Sequence, residues 1–137
     1  MDVYIAPTAD IDLIWPDYAR GLEHACRRGN DDNLTAGTLW QMCRSGHAFF
    51  VICEECGKAK CVSVWRFETP EQPQNFRCLA LYGHDMRSWI KELPAFAENI
   101  AKMNGGKRLV VSGRKQWLRL FKDAIEINEN YILELKQ

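Results

Sequence analysis

Apolar residues recur along the chain with two periods, and the switches between them mark out the elements. Val3-Tyr4-Ile5 is a short β-like run closed by Ala6-Pro7, because proline has no amide hydrogen to give a sheet. From Asp10 onward Ile11, Ile14 with Trp15, Tyr18, Leu22, and Ala25 with Cys26 return every three or four residues, the spacing of one helix face. Pro16 is expected to start or kink that helix, since an interior proline loses a hydrogen bond and crowds the preceding turn. The cluster Gly29 to Asn33 ends it. Thr35 then predicts the N-cap of a short second helix that carries Leu39, Met42 and Cys43 inward, with Gly46 as a left-handed C-cap.

Strand composition follows. His47 to Cys53 and Lys60 to Glu68 are rich in Phe, Val, Ile and Trp and flank Glu54-Glu55-Cys56-Gly57-Lys58, which predicts a β-hairpin. A proline-bearing polar loop from Thr69 to Asn75 leads to Phe76–Tyr82, a third antiparallel strand. Asp85 is expected to cap a long helix carrying Met86, Trp89, Ile90, Leu93, Phe96 with Ala97, and Ile100, kinked at Pro94 and stopped by Gly105-Gly106. Arg108 to Ser112 is a buried-type strand, Gly113-Arg114 turns into a last helix with Trp117, Leu118, Leu120 and Phe121, and Tyr131 to Leu135 closes the chain as a strand. No repeat, low-complexity tract or linker interrupts this, so residues 1–137 are expected to form one domain.

Composition narrows the function classes. Apolar residues make up 47% and charged residues 26%, as in globular domains, which excludes disorder and collagen-like repetition. Eighteen basic residues balance eighteen acidic ones, so no global field draws the chain to nucleic acid or an anionic membrane. The basic residues Lys107, Arg108, Arg114, Lys115, Arg119 and Lys122 read as a solvated face. No apolar stretch reaches the roughly 20 residues of a membrane span, and Met1 to Pro7 lacks a basic region followed by an apolar run, so neither secretion by signal peptide nor a membrane span is expected. A cytoplasmic protein with reduced thiols is the expectation. Cys53, Cys56 and Cys61 have a spacing that could start a soft-metal site, with Cys78, His47 or His84 as the fourth ligand. The hairpin explains the same residues: Cys53 and Cys61 as small strand hydrophobes, Cys56 in the turn, and no metal. Trp40, Trp65, Trp89 and Trp117 anchor separate parts of a core.

The element order β-α-α-β-β-β-α-β-α-β resembles the GNAT N-acetyltransferase fold over nearly the whole chain. Ile14-Trp15-Pro16, and Ser112-Gly113-Arg114 followed by Trp117, resemble more narrowly the short GNAT-like proteins encoded by bacteriophages. The resemblance implies an α/β (α+β) domain: a central mixed, mostly antiparallel sheet flanked by about four helices. It also implies acetyl-CoA as cofactor. The pantetheine arm would pair with strand backbone from Leu79 to Tyr82, and Leu79, Leu81, Tyr82, Gly83, His84, Arg87 and Ser88 would be the binding residues. The family's glycine-rich diphosphate loop is replaced here by Tyr82-Gly83-His84-Asp85-Met86-Arg87-Ser88, with one glycine and an acidic residue. The family's proton-returning tyrosine on the last helix aligns with Phe121, which cannot donate a proton. Glu68 and His84 are the candidate general bases. Two functions follow: a GNAT-derived phage protein without chemistry, serving virion assembly, structure or host interaction through a protein partner or self-association; or an acetyl-CoA-dependent N-acyltransferase with a non-standard loop.

Overall fold

A computed structural model describes residues 1–28, 33–68, 74–112, 123–127 and 130–136. Its elements run β1 (Asp2–Ile5), a 3-10 turn, α1 (Ile11–Arg27), α2 (Ala36–Arg44), β2 (Phe49–Glu55), β3 (Lys58–Phe67) and β4 (Asn75–Gly83). A second 3-10 turn at Met86–Ser88, α3 (Glu92–Met103), β5 (Arg108–Ser112), β6 (Ile125–Ile127) and β7 (Asn130–Glu134) complete it. The seven strands form one sheet in the order β1-β2-β3-β4-β5-β7-β6, antiparallel except where β4 pairs with β5. The mixed, mostly antiparallel α+β architecture is the expected one.

Strand alternation feeds two cores. Phe50, Ile52, Val62 and Val64 pack with Ile11, Trp15 and Leu22 of α1 and Leu39 and Cys43 of α2. Val51, Cys53, Cys61, Trp65 and Phe76 pack on the opposite face with Leu93, Ala97, Ile100 and Ala101 of α3. The two-residue turn of the β2–β3 hairpin puts Cys56 at φ 53° and Gly57 at φ 76°. A hairpin needs that pair of left-handed residues for its twist to match the strands. Thr35 caps α2 as expected, accepting the Thr38 N–H at 3.1 Å, while Thr38 Oγ1 accepts the Thr35 N–H at 2.9 Å. Gly46, at φ 82°, follows the helix end.

Three expectations need correction. Pro16 does not start α1: the helix already runs from Ile11 and carries Pro16 inside it. Asp85 does not cap α3; it adopts φ 53° and no side-chain cap bond, and the helix begins at Glu92. Pro94 consequently lies in the first turn, where its missing N–H has no intrahelical acceptor to lose, so no kink is required. Ile125–Ile127, for which no element was expected, is an additional edge strand beside β7. Three α-helices stand among the described residues; the last predicted helix, with Gly113, Arg114, Lys115, Trp117, Arg119, Phe121 and Lys122, lies outside them, as do residues 29–32 and Thr69 to Pro73.

Candidate functional site

β4 is where the sheet opens. Its parallel pairing with β5 stops at Cys78↔Val111, although β4 continues for five more residues. The cause lies on its other edge. Against β3 the register passes from Trp65↔Cys78 to Val64↔Ala80, leaving Leu79 as an extra, bulged residue. The bulge resets the alternation. Phe76 and Cys78 belong to the α3 core, Leu79 and Ala80 both turn to the α1–α2 core, and Leu81 returns to the α3 side.

His84 donates its N–H to the Lys60 carbonyl at 2.9 Å, one step beyond the Cys61↔Gly83 pair. In an antiparallel ladder a residue's N–H and C=O point to one side, and the side alternates. Ala80 and Tyr82 therefore face β3, whereas Leu81 and Gly83 present their backbone groups to the side that β5 has left. Among the described residues this is a free strand edge, of the kind an extended amide-bearing ligand can pair with.

The predicted binding residues gather around this edge. The Tyr82 ring lies against α1 at Gly21, where an added Cβ would stand 2.3 Å from the ring. Gly83 is exposed but has no room on its side-chain face: a Cβ there would meet Cys61 Cβ and the Lys60 carbonyl at 3.0 Å and Trp89 at 3.1 Å. Replacing Gly83 by proline would thus disturb the α3 core as well as the cleft.

Beyond Gly83 the loop is closed on itself. The His84 carbonyl accepts the Trp89 indole N–H at 2.8 Å, and the Asp85 carbonyl accepts both the Ser88 N–H at 2.9 Å and the Ser88 hydroxyl at 2.8 Å. The Trp89 and Ile90 amides go to the Met86 carbonyl. Asp85 sits 4.0 Å from Lys60 Nζ, and Glu92 occupies the first turn of α3. A diphosphate at this helix end would need free amides and a positive field. It would meet the Ser88, Trp89 and Ile90 amides already engaged, and two carboxylates, with Arg87 and Lys91 as exposed point charges nearby. The strand edge fits a pantetheine-like arm; the loop does not fit its diphosphate.

The two candidate bases are not brought together. Glu68 lies beside the first residue of β4 and His84 just past its last, roughly 25 Å apart at about 3.3 Å per residue. Glu68 is also held. It accepts from Asn75 Nδ2 at 3.0 Å and from Arg77 Nε, and Arg77 reaches on to Asn130 Oδ1 at 3.0 Å. Burial works to raise the Glu68 carboxyl, and the bonds from Asn75 and Arg77 outweigh it and hold it below the ordinary glutamate range. A carboxylate so pinned is a poor proton acceptor.

A pH prediction follows. A depressed folded-state pKa contributes stability above the ordinary carboxylate value that disappears as pH falls through the folded one. Glu68→Gln should cost roughly 1 kcal/mol near neutrality, a modest figure because the pair is partly solvated. The gap to wild type in urea midpoint should close on acidification; a pH-independent gap would reject the ion pair as its source.

No group of three or more His, Cys, Asp or Glu side chains among the described residues could hold a metal ion. Cys53 and Cys61 are buried strand residues and Cys56 is in the turn, as expected. No described helix is long and apolar enough to cross a membrane. Sequence reasoning missed the Leu79 bulge and the Tyr82–Gly21 contact; a glycine inside an amphipathic helix was the available sign of the second.

Comparison with solved structures agrees on the fold. The chain superimposes on yncA of Salmonella typhimurium, solved with acetyl-CoA, with a TM-score of 0.66 at 14% identity, covering 100% of this chain and 95% of that one. An N-acetyltransferase of Staphylococcus aureus gives 0.64 at 13% identity, with 98% of each chain covered. The GNAT domain of S. lividans PAT gives 0.65 at 10% identity, covering 98% of this chain and 89% of that one. No protein-family model matches the chain, and no curated protein matches it in sequence. The chain has the GNAT acetyltransferase fold.

Proposed function

We propose that this is a GNAT-fold protein that has given up acetyl transfer and works by binding another macromolecule. What carries this is the segment from His84 to Glu92, which has a single glycine before it, turns its Ser88, Trp89 and Ile90 amides back on its own carbonyls, and brings the carboxylates of Asp85 and Glu92 to the end of α3 that a diphosphate would approach. Phe121, aligned with the family's proton-returning tyrosine, supports it from sequence, as does the distance between Glu68 and His84. The resemblance to phage-encoded members supplies the setting: assembly or structure of a virus particle, or contact with host components, through a protein partner or a second copy.

One observation favours the other reading, an acetyl-CoA-dependent N-acyltransferase with a non-standard loop. The free edge of β4 at Leu81 and Gly83 is suited to an amide-bearing arm. Calorimetric titration with acetyl-CoA and CoA separates the two. The expected result is no binding at millimolar ligand and no CoA release with a panel of amines. Micromolar binding, or turnover with any amine, would overturn the proposal.

A further inference from the structure

Five of the six cysteines are buried, and two of these face each other. Cys53 of β2 and Cys61 of β3 are register partners, 0% and 2% exposed, with both side chains in the α3 core. Two backbone bonds define how they pair. The Ala6 N–H on the Phe50 carbonyl turns Phe50 and Ile52 toward β1, and hence Val51 and Cys53 toward β3. The His84 N–H on the Lys60 carbonyl turns Lys60 toward β4, and hence Cys61 toward β2. Cys53 and Cys61 thus form a hydrogen-bonded pair, whose Cα atoms stand about 5.5 Å apart. A disulfide takes Cα separations of about 4.4–6.8 Å.

Their β-carbons must approach from about 4.5–5.5 Å to near 3.8 Å. The register slips immediately beside this pair, between Cys53 and Glu54, and the hairpin turn is only two residues further on, so the backbone has slack where closure needs it. Cys61 beside it holds the Cys53 thiol below the ordinary cysteine range, while the Cys61 S–H itself lies 3.9 Å from the Val62 carbonyl. Burial pushes the Cys61 thiol up.

We propose that Cys53 and Cys61 are a redox-active pair that closes to a cross-strand disulfide under a two-electron oxidant of the peroxide class. Cys53, the more acidic thiol, attacks the peroxide; its O–O bond breaks, one oxygen stays on sulfur as a sulfenic acid, and the other leaves as water. The Cys61 sulfur then displaces that oxygen as a second water, and an S–S bond replaces two S–H bonds. The site bears on the cleft. Cys61 Cβ lies 3.0 Å from where a Cβ on Gly83 would stand, and Trp89 abuts the same point at 3.1 Å. Drawing Cys61 toward β2 loosens the wall on which the His84–Trp89 bond rests.

The test uses Cys56→Asn protein, which removes the exposed turn thiol and with it disulfides between molecules; asparagine accepts the left-handed turn. After hydrogen peroxide, unfolding in an alkylating agent should label three of the five remaining cysteines, and all five after reduction. Trypsin cuts after Lys58 and Lys60, so the link appears as joined peptides containing Cys53 and Cys61. Cys53→Ala in the same background should abolish the link with no other pair replacing it. Five labelled cysteines from oxidised protein with an unchanged circular dichroism spectrum, or a link between any other pair, would overturn the proposal. If Cys53→Ala does not fold, the peptide mapping decides alone.

Discussion

Gly21→Ala is expected to lower stability by about 1–3 kcal/mol in the wild-type chain and to raise it by up to about 1 kcal/mol in a Tyr82→Ala background. Two opposed terms meet at this position. Alanine is the better helix former, so on helix propensity alone the substitution is favourable. Its methyl, however, would lie 2.3, 2.5 and 2.7 Å from Tyr82 Cδ1, Cε1 and Cγ. Cγ is near the root of the side chain, so a small swing of the ring cannot clear all three atoms. The ring must leave α1 or the helix must lift from β4. With Tyr82 truncated only the propensity term remains, and the sign reverses. Urea denaturation of the four proteins of the cycle measures it; additive effects would show that the ring does not rest on Gly21 in solution.

Trp65→Ala should cost about 3–5 kcal/mol, among the largest effects of any single truncation in this chain. Trp65 is 0% exposed, stacks on Phe76 with ring centroids 5.4 Å apart, and donates its indole N–H to Ser63 Oγ at 2.8 Å. It also sits on β3 opposite Cys78, next to the residue that bulges. Trp65→Phe separates the contributions. It keeps much of the stacking but leaves the Ser63 hydroxyl, itself fully buried, without that donor, a loss of about 1–3 kcal/mol. Adding Ser63→Ala should recover part of it, because two apolar partners need no hydrogen bond. Thermal unfolding of the three variants tests the order; Trp65→Phe as damaging as Trp65→Ala would mean that shape alone matters here.

What could be read from the sequence was what a local pattern determines. Thr35 and Gly46 bracket α2 because a cap and a left-handed stop depend on their own side chains and backbone. The hairpin at Cys56-Gly57 was legible for the same reason. The start of α3 was not, since Met86, Trp89 and Ile90 have helical spacing yet are used by a 3-10 turn whose Trp89 is tied back to His84. The bulge was hidden in Leu79-Ala80-Leu81, an uninterrupted apolar run in which alternation leaves no trace. For the candidate site, the element order points to the residues along the end of β4, and the structure sets Leu81 and Gly83 on the strand edge that β5 leaves. The separation of Glu68 from His84 could not be, because both flank strands in sequence and only the length of β4 reveals that they lie at opposite ends.

The extra residue at Leu79 gives β4 two reading frames. Up to Cys78 the even-numbered side chains face α3; from Ala80 onward the odd-numbered ones do. Deleting Leu79 would therefore leave every other side chain of the strand on its present face: Ala80 would follow Cys78 in plain alternation, with the Tyr82 ring still toward α1 and Gly83 still toward Trp89. A further residue inserted beyond Ala80 would do the opposite and turn over everything that follows it. The outer end of β4 is in this sense tolerant of a shorter chain and intolerant of a longer one.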